Sequence, residues 1–259
     1  MKNALINIFN RFNLFYPDST NCPVCGRCSI DFLPLPDWYK EQATKHGYKY
    51  FGQGEMTALE TYSCSQCGAS DRDRLYAYWI DKQIQEKNLK KGAKVMHFAP
   101  EVKLSEKLKD LNFFDYQTAD FSMPGCDYKV DITNMPEIES ENYDFFICSH
   151  VLEHVKSDDE AIRELYRILK VGGYGILMAP IIVGLKHTIE DPSKVTEADR
   201  WKYFGQNDHV RIYAHDDYIK KLEDNGFLVD QLDIKYFGER VFTLLGLKDT
   251  SILYIVRKP

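Results

Sequence analysis

The sequence predicts an α/β protein: a doubly wound, mostly parallel sheet with a small cysteine-rich unit at its N-terminal end. Three observations predict it. From residue 94 onward, short apolar runs alternate with stretches of helical period, the pattern of parallel strands joined by crossover helices. One of those runs, Tyr143 to Cys148 (YDFFIC), is almost continuously apolar, as a strand covered on both faces must be. Ahead of this body, four cysteines stand in two matching Cys-x-x-Cys-Gly knuckles, Cys22 with Cys25 and Cys64 with Cys67. The 259-residue length suits one full-sized domain with an appendage, which the composition shift divides into residues 1–69 and 70–259.

Taken in order, the knuckles come first. Two residues between cysteines let both thiolates turn toward one ion, and the glycine that follows permits the tight turn. Two such knuckles offer the tetrahedral four-sulfur shell that zinc prefers, so Cys22, Cys25, Cys64 and Cys67 are the expected ligands of a structural Zn2+. Cys28 either competes as a ligand or stays a spare thiol. Residues 29–63 between the knuckles are rich in aromatics (Phe32, Trp38, Tyr39, Tyr48, Tyr50, Phe51), which pack around the ribbon or wall a substrate site. From Ser70 a helical period begins, with Leu75 and Trp79 in one row and Tyr76, Ile80 and Ile84 in the next, ending by Lys90-Lys91-Gly92.

The body follows. Strands are expected at Lys94–Ala99, Asp115–Ala119, Asp127–Val130, Tyr143–Cys148 and Gly175–Pro180, with a helix at Leu104–Leu111. Ser157, with Glu160 three residues on, forms a reciprocal cap for a helix whose stripe is Ala161, Ile162, Leu165, Tyr166 and Leu169, ended by Gly172-Gly173. A helix over His215–Asn225 closes on Gly226, and Leu228–Phe237 and Ile252–Arg257 supply the last strands.

Composition narrows the function. With 44% hydrophobic and 28% charged residues the chain is neither disordered throughout nor fibrous. The longest apolar run, Tyr174 to Leu185, is interrupted by Gly175, Pro180 and Gly184 and is too short to cross a bilayer. The first residues, MKNALINIFNRFNLFYPDST, show no apolar block with a cleavage site, so a soluble cytoplasmic protein with no membrane partner is expected. Residues 1–94 carry 13 Lys/Arg and 10 Asp/Glu, whereas the rest carry 20 and 29. An acidic body argues against a broad nucleic-acid footprint and leans toward a small-molecule substrate.

Parallel sheets bind ligands beyond the carboxyl ends of their strands. The residues found there are Pro100-Glu101, Asp120-Phe121, Asp131-Ile132 and Ser149-His150. Asp120 suits a ribose diol, which offers two hydroxyl donors to one carboxylate. Asp131 can accept from the exocyclic amine of an adenine while the Ile132 N–H faces a ring nitrogen. Taken singly, each aspartate can equally cap its own loop; their joint placement favours a nucleoside.

On these residues the chain resembles the class I S-adenosylmethionine-dependent methyltransferases. The segments that carry the resemblance are VMHFAPE (95–101), YQTAD (116–120), DITNMP (131–136), YDFFICSHVLEHV (143–155) and ELYRILKVGGYGILMAP (164–180). With its N-terminal knuckles and the later FGQNDHVRIY (204–213), it is similar to a bacterial group of these enzymes that carries a zinc ribbon. The resemblance implies a Rossmann-like seven-stranded sheet with its last strand antiparallel. It also implies a donor site at His97, Phe98, Ala99, Glu101, Asp120, Phe121, Asp131, Ile132, Ser149 and His150. The usual first motif is an acidic residue followed by Gly-x-Gly; here His97 holds the acidic position and Ala99 and Glu101 the glycines, so Glu101 can itself meet the donor's ammonium. The scarcity of glycines argues against a dinucleotide, which needs them near its pyrophosphate.

For the acceptor, His150 lies just past the fourth strand and is placed either to take a proton or to hold the donor. His209, clustered with Asp208, Arg211 and Tyr213, is a second candidate base, with Arg211 suited to an acceptor carboxylate or phosphate. A salt bridge to Glu190 or Asp191 is the alternative for Arg211, and His154 is expected to pack and cap. Three functions compete: methyl transfer to oxygen or nitrogen of a small molecule; methylation of RNA or protein gripped by the ribbon and cations such as Arg72 and Arg74; and non-catalytic binding by a protein of the same fold.

Overall fold

The computed structural model describes residues 19–259; the expectations for the first eighteen residues lie outside it. Two short antiparallel pairs build the ribbon, β1 (Asn21–Cys22) with β2 (Arg27–Cys28) and β3 (Phe32–Leu33) with β4 (Ser63–Cys64). Gly26 and Gly68 close the knuckles at φ 69° and 77°, and each N–H returns to the carbonyl of its knuckle's first cysteine. Helix α1 (Asp37–His46) lies between the two pairs.

The body begins with α2 (Asp71–Gln85). Ser70 accepts from the Asp73 N–H and the Asp73 carboxylate accepts from the Ser70 N–H, a complete reciprocal cap. Leu75, Tyr76, Trp79, Ile80 and Ile84, the rows read from the period, are all buried. The helix ends at Gln85, short of Lys90-Lys91-Gly92. The sheet then assembles from β5 (Lys94–Phe98), β6 (Asp115–Asp120), β7 (Tyr128–Lys129), β8 (Tyr143–Ser149), β9 (Leu169–Met178), β12 (Leu228–Leu232) and β13 (Leu253–Arg257), with β10 and β11 forming a separate pair described below. Its order is β12-β13-β9-β8-β5-β6-β7. All neighbours are parallel except β13, which runs antiparallel to both β9 and β12. Helices α3 (Val102–Asp110), α4 (Asp158–Ile168) and α6 (His215–Asp224) make the crossovers, so the carboxyl ends of β5, β6, β7 and β8 open on one edge.

Two further boundaries differ from the expectation. The glycine pair Gly172-Gly173 lies inside β9, since α4 already stops at Ile168 and the chain turns directly into the strand. Phe146 explains the glycine that follows: a Cβ at Gly175 would sit 2.5 Å from its ring. The expected strand to Phe237 ends at Leu232, where Asp233 caps a short helix α7 (Ile234–Phe237) by accepting from the Lys235 and Tyr236 N–H groups; α8 (Glu239–Leu245) follows. Ser157 caps α4 by accepting from the Glu160 N–H, but the expected return bond from the Ser157 N–H to the Glu160 carboxylate is not formed, so the cap is one-sided.

The ribbon is stapled to the body by Arg74, which is fully buried. Its guanidinium donates to the carbonyls of Thr61, Tyr62, Ala69, Leu245 and Gly246 and lies 3.9 Å over the Phe32 ring. That position removes it from any surface that could grip a polyanion, correcting the reading that counted it there. Asp71 likewise accepts from the Thr57 and Ala58 N–H groups. Among the described residues no helix is long and apolar enough to cross a membrane.

Candidate active site

The carboxyl ends of β5 to β8 border a crevice of about 1000 Å³, at the upper end of the range typical for small-molecule sites. One end carries two carboxylates over an apolar floor. Asp120, at the tip of β6, accepts through Oδ1 from the Ser122 and Met123 N–H groups, and Asp131 accepts through Oδ1 from the Thr133 N–H and hydroxyl. Each carboxylate therefore does cap its own loop, yet Oδ2 of each takes no hydrogen bond from the described residues. Between them Phe121 is largely exposed, and Val130 and Ile132 supply a buried apolar floor. Phe98 and Ala99 form the near wall.

Ala99 has φ 45°, a left-handed conformation that alanine resists. The backbone thus keeps the turn that a glycine would adopt at the first position of the motif. Ala99→Gly is expected to raise the unfolding free energy by roughly 0.5–1 kcal/mol, since relief of strain slightly exceeds the added chain entropy; a lower denaturation midpoint would contradict the strain.

Three of the expected donor contacts are corrected. His97 is fully buried, with Nδ1 2.7 Å from the Tyr116 hydroxyl and Nε2 2.8 Å from Glu101 Oε2, so neither ring nitrogen is left for a ligand. Glu101 is engaged by that same contact and lies off the crevice wall. Burial pushes its carboxyl up, but the His97 hydrogen bond and charge, with the Arg72 charge, outweigh this and hold it below the ordinary range. Ser149 is buried and its hydroxyl pairs with Tyr76 at 3.1 Å. These side chains support the loop from beneath.

The other end of the crevice is formed by residues 150–160 of the β8–α4 connection and by the segment that follows β9. That segment contains β10 (Ile189–Glu190), α5 (Glu197–Phe204) and β11 (Arg211–Ile212). The aromatics of the ribbon insertion support it: Trp38 packs edge-on against Trp201, His46 stacks on the same ring, and Tyr48 lies against Gly205. His150, Lys156, Arg200 and Asp208 line this end. Arg200, which the sequence did not single out, brings a guanidinium whose buried Nε has no hydrogen-bond partner. His150 sits at φ 56°, its backbone N–H held by the Met178 carbonyl and its Nδ1 3.0 Å from Glu153 Oε1. Burial and the Arg72 charge lower its pKa.

Arg211 and Tyr213 require a correction. Both are fully buried. Arg211 donates to the carbonyls of Leu152, Val155 and Lys156 and to Glu190 Oε1, and Tyr213 donates to Asp158 at 2.7 Å. With its fork filled by carbonyls and the Glu190 ion pair, Arg211 cannot hold an acceptor. His209 is buried too; its Nδ1 lies 3.3 Å from the Phe204 carbonyl and its Nε2 3.9 Å from Glu153. Burial lowers its pKa to about 4. His209 is therefore turned toward Glu153 behind the crevice wall, while its neighbours His154 and Asp208 reach the surface of the crevice.

Away from the crevice, the sulfurs of Cys22, Cys25, Cys64 and Cys67 lie within 4.8 Å of one another, with Cys22 to Cys67 at 3.7 Å and Cys25 to Cys64 at 4.0 Å. Cys28, on β2, is outside this group.

The profile described as a methyltransferase domain matches residues 87–177, which contain β5 to β8 and most of β9. No curated protein matches the chain. Among solved structures it is similar to the YcgJ protein of Bacillus subtilis (11% identity, TM-score 0.44, 70% of this chain and 99% of that one). It is also similar to the [4+2]-cyclase SpnF (13%, 0.46, 88% and 99%). A third is Haemonchus contortus phosphoethanolamine N-methyltransferase 2, solved with S-adenosyl-L-methionine (13%, 0.44, 70% and 53%).

Proposed function

We propose that this chain, an S-adenosylmethionine-dependent methyltransferase by the domain in residues 87–177, methylates an oxygen or nitrogen of a small acceptor that bears an anionic group. The observation that carries this reading is one crevice with the Asp120 and Asp131 carboxylates at one end and His150 and Arg200 at the other. The residues present suit the donor. Asp120 Oδ2 would accept from the ribose hydroxyls, Asp131 from the adenine amine, and Ile132 and Val130 would face the ring. When bound, S-adenosylmethionine supplies a methyl group on a sulfonium, an electrophile that needs no activation by the protein.

What the protein adds is position and proton management. Arg200 would pair with the acceptor's carboxylate or phosphate, taking the role the sequence suggested for Arg211, because its guanidinium borders the crevice and has no ion-pair partner among the described residues. His150 would receive the acceptor's proton, since it borders the crevice just past β8. A small acceptor fits better than RNA or protein, since Arg74 is buried in the ribbon junction.

The two ends can be tested separately. Asp120→Ala should weaken S-adenosylhomocysteine binding by about 1–3 kcal/mol, the cost of unpaired ribose donors. The loop N–H groups it frees belong to exposed residues and rehydrate. Arg200→Ala should leave donor affinity unchanged and raise the KM of an anionic acceptor. If Arg200→Ala instead weakened the donor, the assignment of the two ends would be reversed.

We also infer that Cys22, Cys25, Cys64 and Cys67 hold a structural Zn2+. Sulfurs at the corners of a zinc tetrahedron stand about 3.8 Å apart, close to the spacings found here. Four thiolates leave no open coordination position, so the ion would hold the ribbon and take no part in methyl transfer.

A further inference from the structure

We propose that Glu153, His154 and His209 form a second metal site, one that binds a divalent transition-metal ion behind the acceptor end of the crevice. Glu153 is fully buried, and neither of its carboxylate oxygens receives a hydrogen bond. A desolvated carboxylate without donors is costly unless a positive charge compensates it. Imidazoles surround it. His150 Nδ1 approaches to 3.0 Å but off the hydrogen-bond line, and His154 Nε2 and His209 Nε2 both stand 3.9 Å from Oε1. One ligand atom from each of Glu153, His154 and His209 lies within 4.8 Å of the others. Those separations are long for hydrogen bonds and near those of ligands sharing one ion, which at bond lengths of about 2.0–2.1 Å are some 3.3–3.5 Å apart.

The ring orientations carry the argument further. His209 directs Nδ1 to the Phe204 carbonyl at 3.3 Å, and His154 directs Nδ1 to Asp208 Oδ2 at 3.2 Å. The Phe204 carbonyl fixes the His209 proton on Nδ1 and turns its Nε2 lone pair toward Glu153, and the Asp208 charge beside His154 Nδ1 favours the same tautomer there. This is the outer-shell pattern of ligating histidines, and a histidine that only salt-bridged Glu153 would present it a proton instead. The two segments are held in register by the Val210 N–H on the Glu153 carbonyl and by the Arg211 clamp on residues 152–156.

Two imidazoles and one carboxylate suit zinc, iron(II) or cobalt(II) better than magnesium or calcium, which prefer all-oxygen shells. Three protein ligands leave a position open, and it opens toward the crevice, which His154 and Asp208 line. An acceptor hydroxyl bound there would be acidified beside His150. Only that last role rests on the methyl-transfer reading; metal binding itself does not.

The test counts metal on the full chain with its cysteine centre already loaded, by titration with Zn2+ and elemental analysis after desalting. The wild type should hold two zinc ions per chain and His154→Ala one. The His154 side chain is one-third exposed, so that variant should fold. Asp208→Ala, which removes the outer-shell carboxylate and leaves all three ligands, should weaken the second zinc by about 10–100-fold. Cys64→Ser should keep the second ion and lose the first. With Co2+, the second equivalent should absorb in the visible without thiolate charge-transfer bands. A wild type that holds a single zinc, or a second zinc whose affinity survives both His154→Ala and Glu153→Gln, overturns the proposal. Donor binding enters none of these readings, so failure of the methyl-transfer assignment would show separately.

Discussion

Arg211→Met is expected to lower the unfolding free energy by about 3–5 kcal/mol, the range for removing one partner of a buried ionic network. The substitution strips the Val155 and Lys156 carbonyls of their guanidinium donor, leaves the Leu152 carbonyl only the long 3.5 Å bond from the Tyr213 hydroxyl, and leaves Glu190 unpaired. Asp158 stays compensated, because Tyr213 and Lys221 both still donate to it. The clamp fixes the turn that carries Glu153 and His154, so catalytic turnover should fall along with stability. Denaturant unfolding against acceptor KM separates this account from the one the sequence first suggested. A residue that bound the acceptor would raise KM at unchanged stability; a buried clamp must show its cost in the unfolding midpoint.

The second large effect belongs to the ribbon. Chelation of the four-cysteine centre, or Cys64→Ser, should release one metal ion and destabilise the protein cooperatively, since structural zinc contributes on the order of 10 kcal/mol of binding free energy to small sites. The damage should not stay local. Thr61, Tyr62 and Ala69 lend their carbonyls to Arg74, which also ties down Leu245 and Gly246, so an unravelled ribbon leaves a buried guanidinium half satisfied. Metal content, thermal unfolding and limited proteolysis should change together. Wild type purified without metal yet fully stable would contradict the assignment.

Much of the fold could be read from local pattern. The continuous apolar run of β8, the Leu75 and Tyr76 rows of α2 and the Ser157 cap each depend on neighbours in sequence, and each is present. Each glycine-bearing knuckle was legible on its own from its spacing, but the close sulfur pairs, Cys22 with Cys67 and Cys25 with Cys64, join positions 45 and 39 residues apart and needed the ribbon to form. Position after a strand likewise placed Asp120 and Asp131 at the crevice, since the topology sends every such residue to one edge. What escaped depended on contacts between distant segments. Gly172-Gly173 looks like a helix stop, but α4 has already ended at Ile168 and the pair lies inside β9, ahead of Gly175, where Phe146 leaves no room for a Cβ. Arg211 and Tyr213 read as site residues because of their chemistry; only the folded chain shows that carbonyls from residues 152–156 fill the guanidinium's fork. Glu153 and His154 lie in a recognisable segment, but their link to His209 requires the loop after α5 to return over β8. Arg200 gave no signal at all, being one cation on a charged helix.

The central claim is that the crevice binds the donor through Asp120 and Asp131. Calorimetric titration of the wild-type protein with S-adenosylhomocysteine tests it most directly. The account predicts saturable binding of one molecule per chain, competed by S-adenosylmethionine and weakened in Asp120→Ala. A titration that stays flat at millimolar ligand, with the protein folded, would contradict it.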